Sequence, residues 1–228
     1  MKQILWFRRD LRVNDSAILA YAKDEVLPIF IFDKNILDKL QEDDKRVTFI
    51  YESVLKLKED LKNLGLDLAV FYSTPKEVFE GFKNQGFDSV LCSVDFDDYA
   101  KKRDEEIAKI IPMQTFFDSF ITHPNDCLKA DKTPYKVFTP YYNNLKFIWN
   151  SYRLEEFETN KNLKLIPFDF DSIPTLENMG FIKQTLPDFL QKNPDELLKD
   201  FEQKIDNYKI DRDFFDKNAT SNLAVHLR

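Results

Sequence analysis

Short apolar runs alternate with longer amphipathic segments over the first 120 residues of the chain. Five runs are bounded by polar or turn-forming residues and have the length of buried parallel strands: 4–7, 26–32, 66–72, 89–94 and 114–117. Right-handed crossovers are strongly preferred between parallel strands. The pattern therefore predicts an α/β fold, a doubly wound five-stranded parallel sheet of the Rossmann type. For the strand order, which the pattern does not determine, we assume 3-2-1-4-5.

The segments between these runs predict helices. Between the second and third runs, apolar residues recur at steps of three and four: Val47, Ile50, Val54, Leu57, Leu61 and Leu64. Gly65 is expected to end this helix. The next helix should begin after Thr74, because Thr74, Pro75 and Glu77 combine an N-cap, a first-turn proline and a capping-box acid, and it should end near Gly86.

The pattern changes after residue 120. Residues 154–187 are rich in Phe, Pro, Asp and Asn without a sustained period, which predicts an extended connector crossing a surface. Helical spacing returns over 195–208 through Leu198, Phe201, Ile205 and Tyr208. We therefore predict an α/β domain over 1–125, a connector with a short helix over 126–194, and the first part of a helical domain over 195–228.

The residues Thr-Ser-Asn-Leu at 220–223 predict the capped start of a further helix, which would stop at Arg228. A helix cut off there, behind a long connector, predicts that the chain is the front part of a longer protein.

Composition narrows the possible functions. The 228 residues include 33 basic and 40 acidic side chains, and the net charge of −7 argues against a phosphate-backbone binder acting alone. The chain has two cysteines and two histidines, so neither a disulfide framework nor a Cys/His metal site is expected, and a reducing cytoplasm is the simplest setting. No apolar run approaches membrane-spanning length, and no signal peptide is predicted.

Three arginines follow the first predicted strand: Arg8, Arg9 and Arg12. Open α/β sheets bind ligands at such strand ends, so this loop is a candidate ligand site. Two alternatives remain open. Asp10 and Asp15 could neutralise the arginines in a structural ion-pair network, or the loop could dock a neighbouring domain.

Familiar catalytic and nucleotide-binding motifs are missing. The four glycines form neither G-x-G-x-x-G nor a P-loop, so any nucleotide would be held differently. The two histidines, His123 and His226, lie near no recognisable nucleophile motif. We therefore assign no catalytic residue to this chain.

Two motifs carry a family resemblance. The sequence Trp-Phe-Arg-Arg-Asp-Leu-Arg-Val-Asn-Asp at 6–15 and Tyr-Lys-Val-Phe-Thr-Pro-Tyr-Tyr at 135–142 resemble those of the photolyase/cryptochrome family. In that family an α/β domain with this opening is followed by a long connector and an all-helical domain that holds FAD. The sequence of residues 135–142 favours a microbial protein that repairs pyrimidine dimers. Phe138 and Tyr141 would pack at the interface between the two domains.

The tail also resembles the family's entry into its flavin domain. The resemblance implies a flavin contact from Tyr208 and pyrophosphate contacts from Thr220, Ser221, Leu223 and Ala224. Hydroxyls and amide N–H groups at a helix N-terminus suit an anion. From spacing alone, however, an ordinary N-cap is the favoured interpretation of 220–223.

The family often carries a second, light-gathering chromophore, commonly a folate, a deazaflavin or FMN. The resemblance places it at the end of the fourth strand, at Ser93, Phe96 and Asp97. Folate-binding relatives carry an amide and a Glu where Ser93 and Asp97 stand, so the shorter side chains disfavour folate. From the residues alone, Asp97 and Asp98 serve equally well as helix caps.

The function implied by the resemblance is blue-light-driven DNA repair. Reduced FAD would donate an electron that splits a cyclobutane pyrimidine dimer, in damaged DNA bound by the helical domain. The present chain would be an inactive, monomeric, cytoplasmic scaffold for the antenna. Alternatives are a cryptochrome-type photosensor, a stand-alone nucleotide-binding module, and an interaction domain that docks a partner through its arginine loop.

Overall fold

Five parallel strands form the central sheet of the computed structural model, which describes residues 1–149 and 156–226. The strands are β1 Lys2–Phe7, β2 Glu25–Asp33, β3 Ala69–Ser73, β4 Ser89–Ser93 and β5 Met113–Phe116. Their order is β3-β2-β1-β4-β5. In the register, Ile4 of β1 stands opposite Leu27 of β2 and Val90 of β4. The predicted fold class and strand order are confirmed.

A sixth, very short strand extends this sheet. β6, Lys164–Leu165, pairs in parallel with Glu25 and Val26 at the start of β2. It comes from the segment that the sequence predicted to be a connector. Two residues are too few to produce a periodic signal, so only the folded chain reveals this pairing.

Five helices accompany the five main strands. They are α1 Ala17–Tyr21, α2 Lys34–Leu37, α3 Lys45–Asn63, α4 Pro75–Phe82 and α5 Asp98–Ala108. The predicted capping box before α4 is present, because Thr74 accepts from the amide of Glu77 and the Glu77 carboxylate accepts from the amide of Thr74. Gly65 follows α3 with φ of +76°, as expected of a helix-ending glycine. α4 itself ends at Phe82, earlier than predicted.

The predicted apolar stripe of α3 is only partly a core stripe. Val47, Val54 and Leu57 are buried, together with Leu61, whereas Ile50 and Leu64 are exposed. The stripe is therefore narrower than the sequence spacing indicates, and four of its six members carry the packing.

Side chains of β1 alternate between two apolar cores, one on each face of the sheet. Leu5 and Phe7 belong to the core that includes α1 and α3, whereas Ile4 and Trp6 belong to the core that includes α4 and Ile107 of α5. Both faces are covered, and for that reason β1 reads as a continuous apolar run.

The connector is part of the first core. Leu176, Met179 and Phe181 are buried within it, around a 3₁₀ turn at Glu177–Met179. Lys58 of α3 is also buried, and its ammonium donates to the backbone carbonyl of Phe170 at 2.9 Å. The prediction of a connector that only crosses a surface was therefore wrong for residues 163–186. Scattered apolar residues without a period can still be buried when they pack singly.

Further helices follow β5 in the part of the chain that the structure describes. They are α6 Phe138–Trp149, α7 Asp188–Gln191, α8 Pro194–Glu202 and α9 Tyr208–Asp211. The helical spacing predicted for 195–208 is interrupted by a 3₁₀ turn at Ile205–Asn207, and Leu197 is buried in place of the exposed Leu198.

The helix predicted at 220 is a single 3₁₀ turn, Leu223–Val225, in the part of the chain that the structure describes. Asn222 precedes it in the left-handed region with φ of 56°, which interrupts a helical start. The predicted end of that helix, at residues 227–228, lies outside the described residues. Among the helices that are described, none is long and apolar enough to cross a membrane.

Candidate functional site

A cleft of about 220 Å³ opens at the carboxyl ends of β1 and β4. Chain connections leave these two neighbouring strands in opposite directions, so the cleft lies at the switch point where open α/β sheets bind ligands. Its lining residues come from the loops after β1, β4 and β5: Arg8, Arg9, Asp10, Ser93, Val94, Asp95, Asp97, Ser119 and Phe120.

Arg8 is the buried cation of this cleft. One guanidinium nitrogen, Nη1, donates to both carboxylate oxygens of Asp104 on α5, at 2.7 and 2.9 Å, and the other, Nη2, donates to the carbonyl of Ser93. Buried and paired in this way, Arg8 joins β1, β4 and α5. It is a structural member of the cleft wall.

Asp10 fixes the loop after β1. The carboxylate is 2% exposed and accepts from the backbone amide of Arg8 at 3.0 Å and from the Ser93 hydroxyl at 2.7 Å. Ser93, predicted to contact an antenna, does line the cleft, but its proton is donated to Asp10. Its direct effect is therefore to hold the two strand ends together.

Arg9 and Asp97 form the polar rim. The Arg9 side chain is 50% exposed and pairs with Asp95 at 2.9 Å and with Asp97 at 2.8 Å. The other oxygen of Asp97 accepts from the amide of Ala100 at 2.7 Å, which makes Asp97 the N-cap of α5. Asp97 is therefore the helix cap that the residues alone suggested, and it also lines the cleft, while its contact with an antenna stays a prediction.

An aromatic group closes the other side of the cleft. Phe120 lines it directly, and Phe96 packs behind, with ring centroids 5.5 Å apart. Phe117 and His123 complete the group, at 6.1 and 5.2 Å from the Phe96 ring. The sequence predicted Phe96 but missed Phe120, whose only signal is that it follows Phe117 closely after the end of β5.

The third arginine of the loop, Arg12, joins β1 to the segment after β5. Its guanidinium donates to the carbonyl of Asp118 at 3.0 Å and pairs with the fully buried Asp118 carboxylate at 3.3 Å. The Asp15 carboxylate accepts instead from the amide of Phe157, at 2.9 Å. A structural ion-pair network is therefore present, and the carboxylates that form salt bridges with the arginines are Asp104, Asp95, Asp97 and Asp118. Of the two predicted carboxylates, Asp10 acts on Arg8 electrostatically and, against the lowering effect of burial, helps to raise its pKa.

A second cleft, of about 550 Å³, lies in the tail. It is lined by Asp188, Phe189, Lys192, Leu197, Asp200, Lys204, Asn218, Ser221 and Asn222. Of the five residues that the resemblance linked to FAD, Ser221 is on this cleft. The amide of Leu223 donates to the Ser221 hydroxyl at 3.4 Å, and Thr220 and Ala224 are exposed beside them.

Tyr208 makes different contacts. Its ring meets Phe201 edge to face at 5.6 Å, and the Arg212 guanidinium lies over it at 5.6 Å. The structure thus brings residues 220–224 together in one turn, with Ser221 on the cleft, and holds Tyr208 in an aromatic contact with α8.

Comparison with known proteins identifies the class. Residues 3–159 match the family model described as DNA photolyase, so the chain belongs to the DNA photolyase family, as the photolyase/cryptochrome resemblance indicated. The deoxyribodipyrimidine photo-lyase of Alkalihalophilus pseudofirmus is 32% identical over 156 residues, which are 60% of this chain and 31% of that protein. The blue-light photoreceptor PHR2 of Arabidopsis thaliana is 38% identical over 98 residues, 39% of this chain and 22% of that one.

A solved structure extends the similarity to the whole chain. The archaeal photolyase of Sulfolobus tokodaii, described with two FAD molecules and with the implication of a novel light-harvesting cofactor, is 25% identical, with a TM-score of 0.78. The match covers 100% of this chain and 51% of that one. The chain therefore spans about half the length, or less, of the relatives named here and corresponds to their N-terminal part.

Proposed function

We propose that this chain is the N-terminal part of a blue-light-driven DNA repair flavoprotein, and that the cleft at the ends of β1 and β4 holds its light-gathering chromophore. One observation carries the proposal: a cleft with aromatic, cationic and anionic groups opens at the sheet's switch point in a chain of the DNA photolyase family. The light-harvesting cofactor named for the Sulfolobus tokodaii photolyase supports the same assignment.

The size and chemistry of the cleft fit one flat ring system. Its volume of about 220 Å³ is below the roughly 300–1,000 Å³ of sites that enclose a drug-sized ligand, so the ring would enter and the rest of the molecule would lie over the rim. Phe120 offers an apolar surface, and the carboxylates of Asp95 and Asp97 can accept from ring N–H groups. The half-exposed Arg9 suits an acidic or phosphate group. FMN, FAD and a deazaflavin match this description better than a folate.

The tail and α6 would meet the family's helical domain. No residue of α6 is buried among the described residues, and Phe138 and Phe147 are strongly exposed, as expected of a surface that another domain covers. The second cleft would receive part of FAD, with Thr220, Ser221, Leu223 and Ala224 near its pyrophosphate and Tyr208 near the flavin. Reduced FAD, damaged DNA and splitting of the pyrimidine dimer belong to that helical domain. The chain itself supplies the antenna site and no catalytic group, in a monomeric, cytoplasmic protein.

A repair assay tests the activity. A DNA-repair-deficient bacterium carrying the gene in a form that includes the helical domain should recover from ultraviolet damage under blue light, whereas cells carrying the 228-residue chain alone should not. A blue-light photosensor is the second candidate, favoured by the similarity to the Arabidopsis photoreceptor. Bound flavin without any light-dependent recovery would establish that candidate and reject the repair function.

A titration tests the cleft. The chain should bind one of FMN, FAD, a deazaflavin or a reduced folate, measured by fluorescence, and Phe120→Ala should weaken that binding about tenfold by removing the apolar wall. Phe147→Ala, an equally large truncation on α6, should leave affinity unchanged. Binding of ATP but of none of these chromophores would favour a stand-alone nucleotide-binding module. Equal affinities of the two variants would show that the ligand lies elsewhere.

A further inference from the structure

A buried tryptophan lies directly behind the cleft wall. Trp6 on β1 is 2% exposed, and the Arg8 guanidinium lies over its ring with 5.0 Å between the guanidinium carbon and the ring centroid. Arg8 also lines the cleft. The indole is therefore one side chain away from any ligand in the cleft.

A second cation lies over the same ring. The guanidinium carbon of Arg103, on α5, is 4.8 Å from the Trp6 ring centroid. Phe79 contacts the ring edge to face at 4.9 Å. An indole in contact with two guanidiniums is uncommon, since a strong cation–π contact with one cation occurs only about once per 70–80 residues.

Both guanidiniums contact the Trp6 ring directly, and carboxylates supply their counter-charge. Asp104 pairs with both guanidiniums, at 2.7 Å to Arg8 and 2.9 Å to Arg103. Asp10 faces the Ser93 hydroxyl and the amide of Arg8. Burial raises the pKa of the neighbouring Cys92 thiol to about 12, so that group adds no negative charge.

Positive charge against an indole opposes its oxidation. Removal of one electron turns the ring into a radical cation, which two guanidiniums in a buried, weakly screened site repel. An excited flavin-type ring takes electrons readily from a nearby indole: Trp6 would be oxidised, the ring would be reduced, and the excitation would be lost. Loss of this kind competes with passing the excitation to another chromophore.

We propose that Arg8 and Arg103 hold Trp6 in a form that does not quench an excited chromophore in the cleft. This inference rests on the proposed function, because it assumes a light-absorbing ligand at that site. Arg103 is then a positioning residue for light harvesting, acting through Trp6 without contact with the ligand. Its pair with Asp104 and its contact with Tyr99 hold it there, the latter at 5.7 Å.

A tethered flavin tests the inference without relying on ligand affinity. Phe120→Cys, made together with Cys127→Ser, provides one reactive thiol at the cleft for a maleimide-linked flavin, because Cys92 is fully buried and its raised pKa keeps it protonated. The measured quantity is the fluorescence lifetime of the attached flavin. With both arginines present, Trp6→Phe should leave the lifetime unchanged.

Removal of one of the two guanidiniums should allow Trp6 to quench the excited flavin. Arg103→Met should shorten the lifetime about threefold or more, and Trp6→Phe added to it should restore the long lifetime. Arg103→Lys keeps a positive charge, so the flavin in that variant should keep most of its long lifetime. Arg46→Met, at an exposed arginine on α3, is the matched control and should leave the lifetime unchanged. Two results would overturn the proposal. In one, Trp6→Phe lengthens the lifetime although both arginines are present; in the other, Arg103→Met leaves the lifetime unchanged. Failure of untethered chromophores to bind would instead count against the proposed function.

Discussion

The sheet and helix α6 use the same kinds of residue with opposite outcomes. Ile4, Leu5 and Phe7 of β1 are fully buried because helices cover both faces of the sheet. In α6, Phe138 is 72% exposed and Phe147 is 85% exposed. Apolar composition therefore does not locate a core. Burial requires a facing element, and the described residues provide one for β1 but not for this face of α6.

The largest expected effect comes from truncating one aromatic ring in each region. Phe79→Ala removes a fully buried ring from the core beside Trp6 and should lower the free energy of unfolding by about 3–5 kcal/mol. Phe147→Ala should change it by less than about 0.5 kcal/mol. Urea denaturation of both variants measures the difference. Comparable losses would mean that α6 is part of the chain's cooperative core.

Two lysines of α3 extend the comparison to charged groups. Lys58 is buried and donates to the carbonyls of Leu68 and Phe170 in addition to its pair with Asp67. Lys58→Met should therefore cost about 3 kcal/mol, because buried acceptors lose their donor. The exposed Lys56 pairs with Asp60 at 2.6 Å.

The matched control is Lys56→Met, which should cost less than about 0.5 kcal/mol, since exposed ion pairs contribute little. Hydrogen exchange adds a local readout, because Lys58→Met should also raise exchange rates in the connector around Phe170. If only global stability changed while the connector kept its protection, Lys58 would not be what holds the connector in place.

At the cleft, Asp97 is expected both to stabilise the fold and to contribute to chromophore binding. Asp97→Ala should cost about 1 kcal/mol by removing the cap of α5 and should also weaken chromophore binding. Asp97→Ser can still cap the helix but loses the contact with Arg9. Thermal unfolding and the fluorescence titration, run on both variants, separate the two roles. If the Asp97→Ser variant bound the chromophore with full affinity, Asp97 would act only as a helix cap.

The smallest effect is expected at the capping box of α4. Hydrogen bonds from the Ser73 hydroxyl and the Thr74 amide lower the pKa of Glu77 to about 2, from 4.5. A carboxyl with a lowered pKa in the folded state stabilises the fold above pH 4.5, and this contribution disappears as the pH falls from 4.5 towards 2. Glu77→Gln should therefore shift the urea midpoint slightly near pH 6 and by much less near pH 2, where the carboxyl is partly protonated. A shift of the same size at both pH values would show that the charge is not responsible.

Much of the sheet was predictable because its signals are local. Continuous apolar runs, the Thr74 capping box and Gly65 each follow from a few neighbouring residues, and the doubly wound sheet followed from the preference for right-handed crossovers. The strand order was assumed, and the structure bears it out. The connector was less predictable. Leu176, Met179 and Phe181 are buried singly against the sheet's core, and no period within the segment marks them.

The cleft was predictable in part. The loop after β1 and the end of β4 were identified from strand ends and from the family resemblance. Of the residues named there, Arg8, Arg9, Ser93 and Asp97 line one cleft, whereas Arg12 and Phe96 do not. The ion-pair partners of the arginines were not predicted correctly. Asp104 and Asp118 lie about 100 residues along the sequence from the arginines they bind, and no local sequence pattern predicts such a pairing.

The sequence by itself determined the α/β fold and the family, because periodicity, caps and sequence motifs depend on residues close together in the chain. Tertiary structure alone decided that Phe120 joins the cleft, that Asp97 both caps α5 and binds Arg9, and that two guanidiniums lie over Trp6. These contacts join residues from separate elements. Their distances are set by how the sheet and helices pack, and that information is spread over the whole chain.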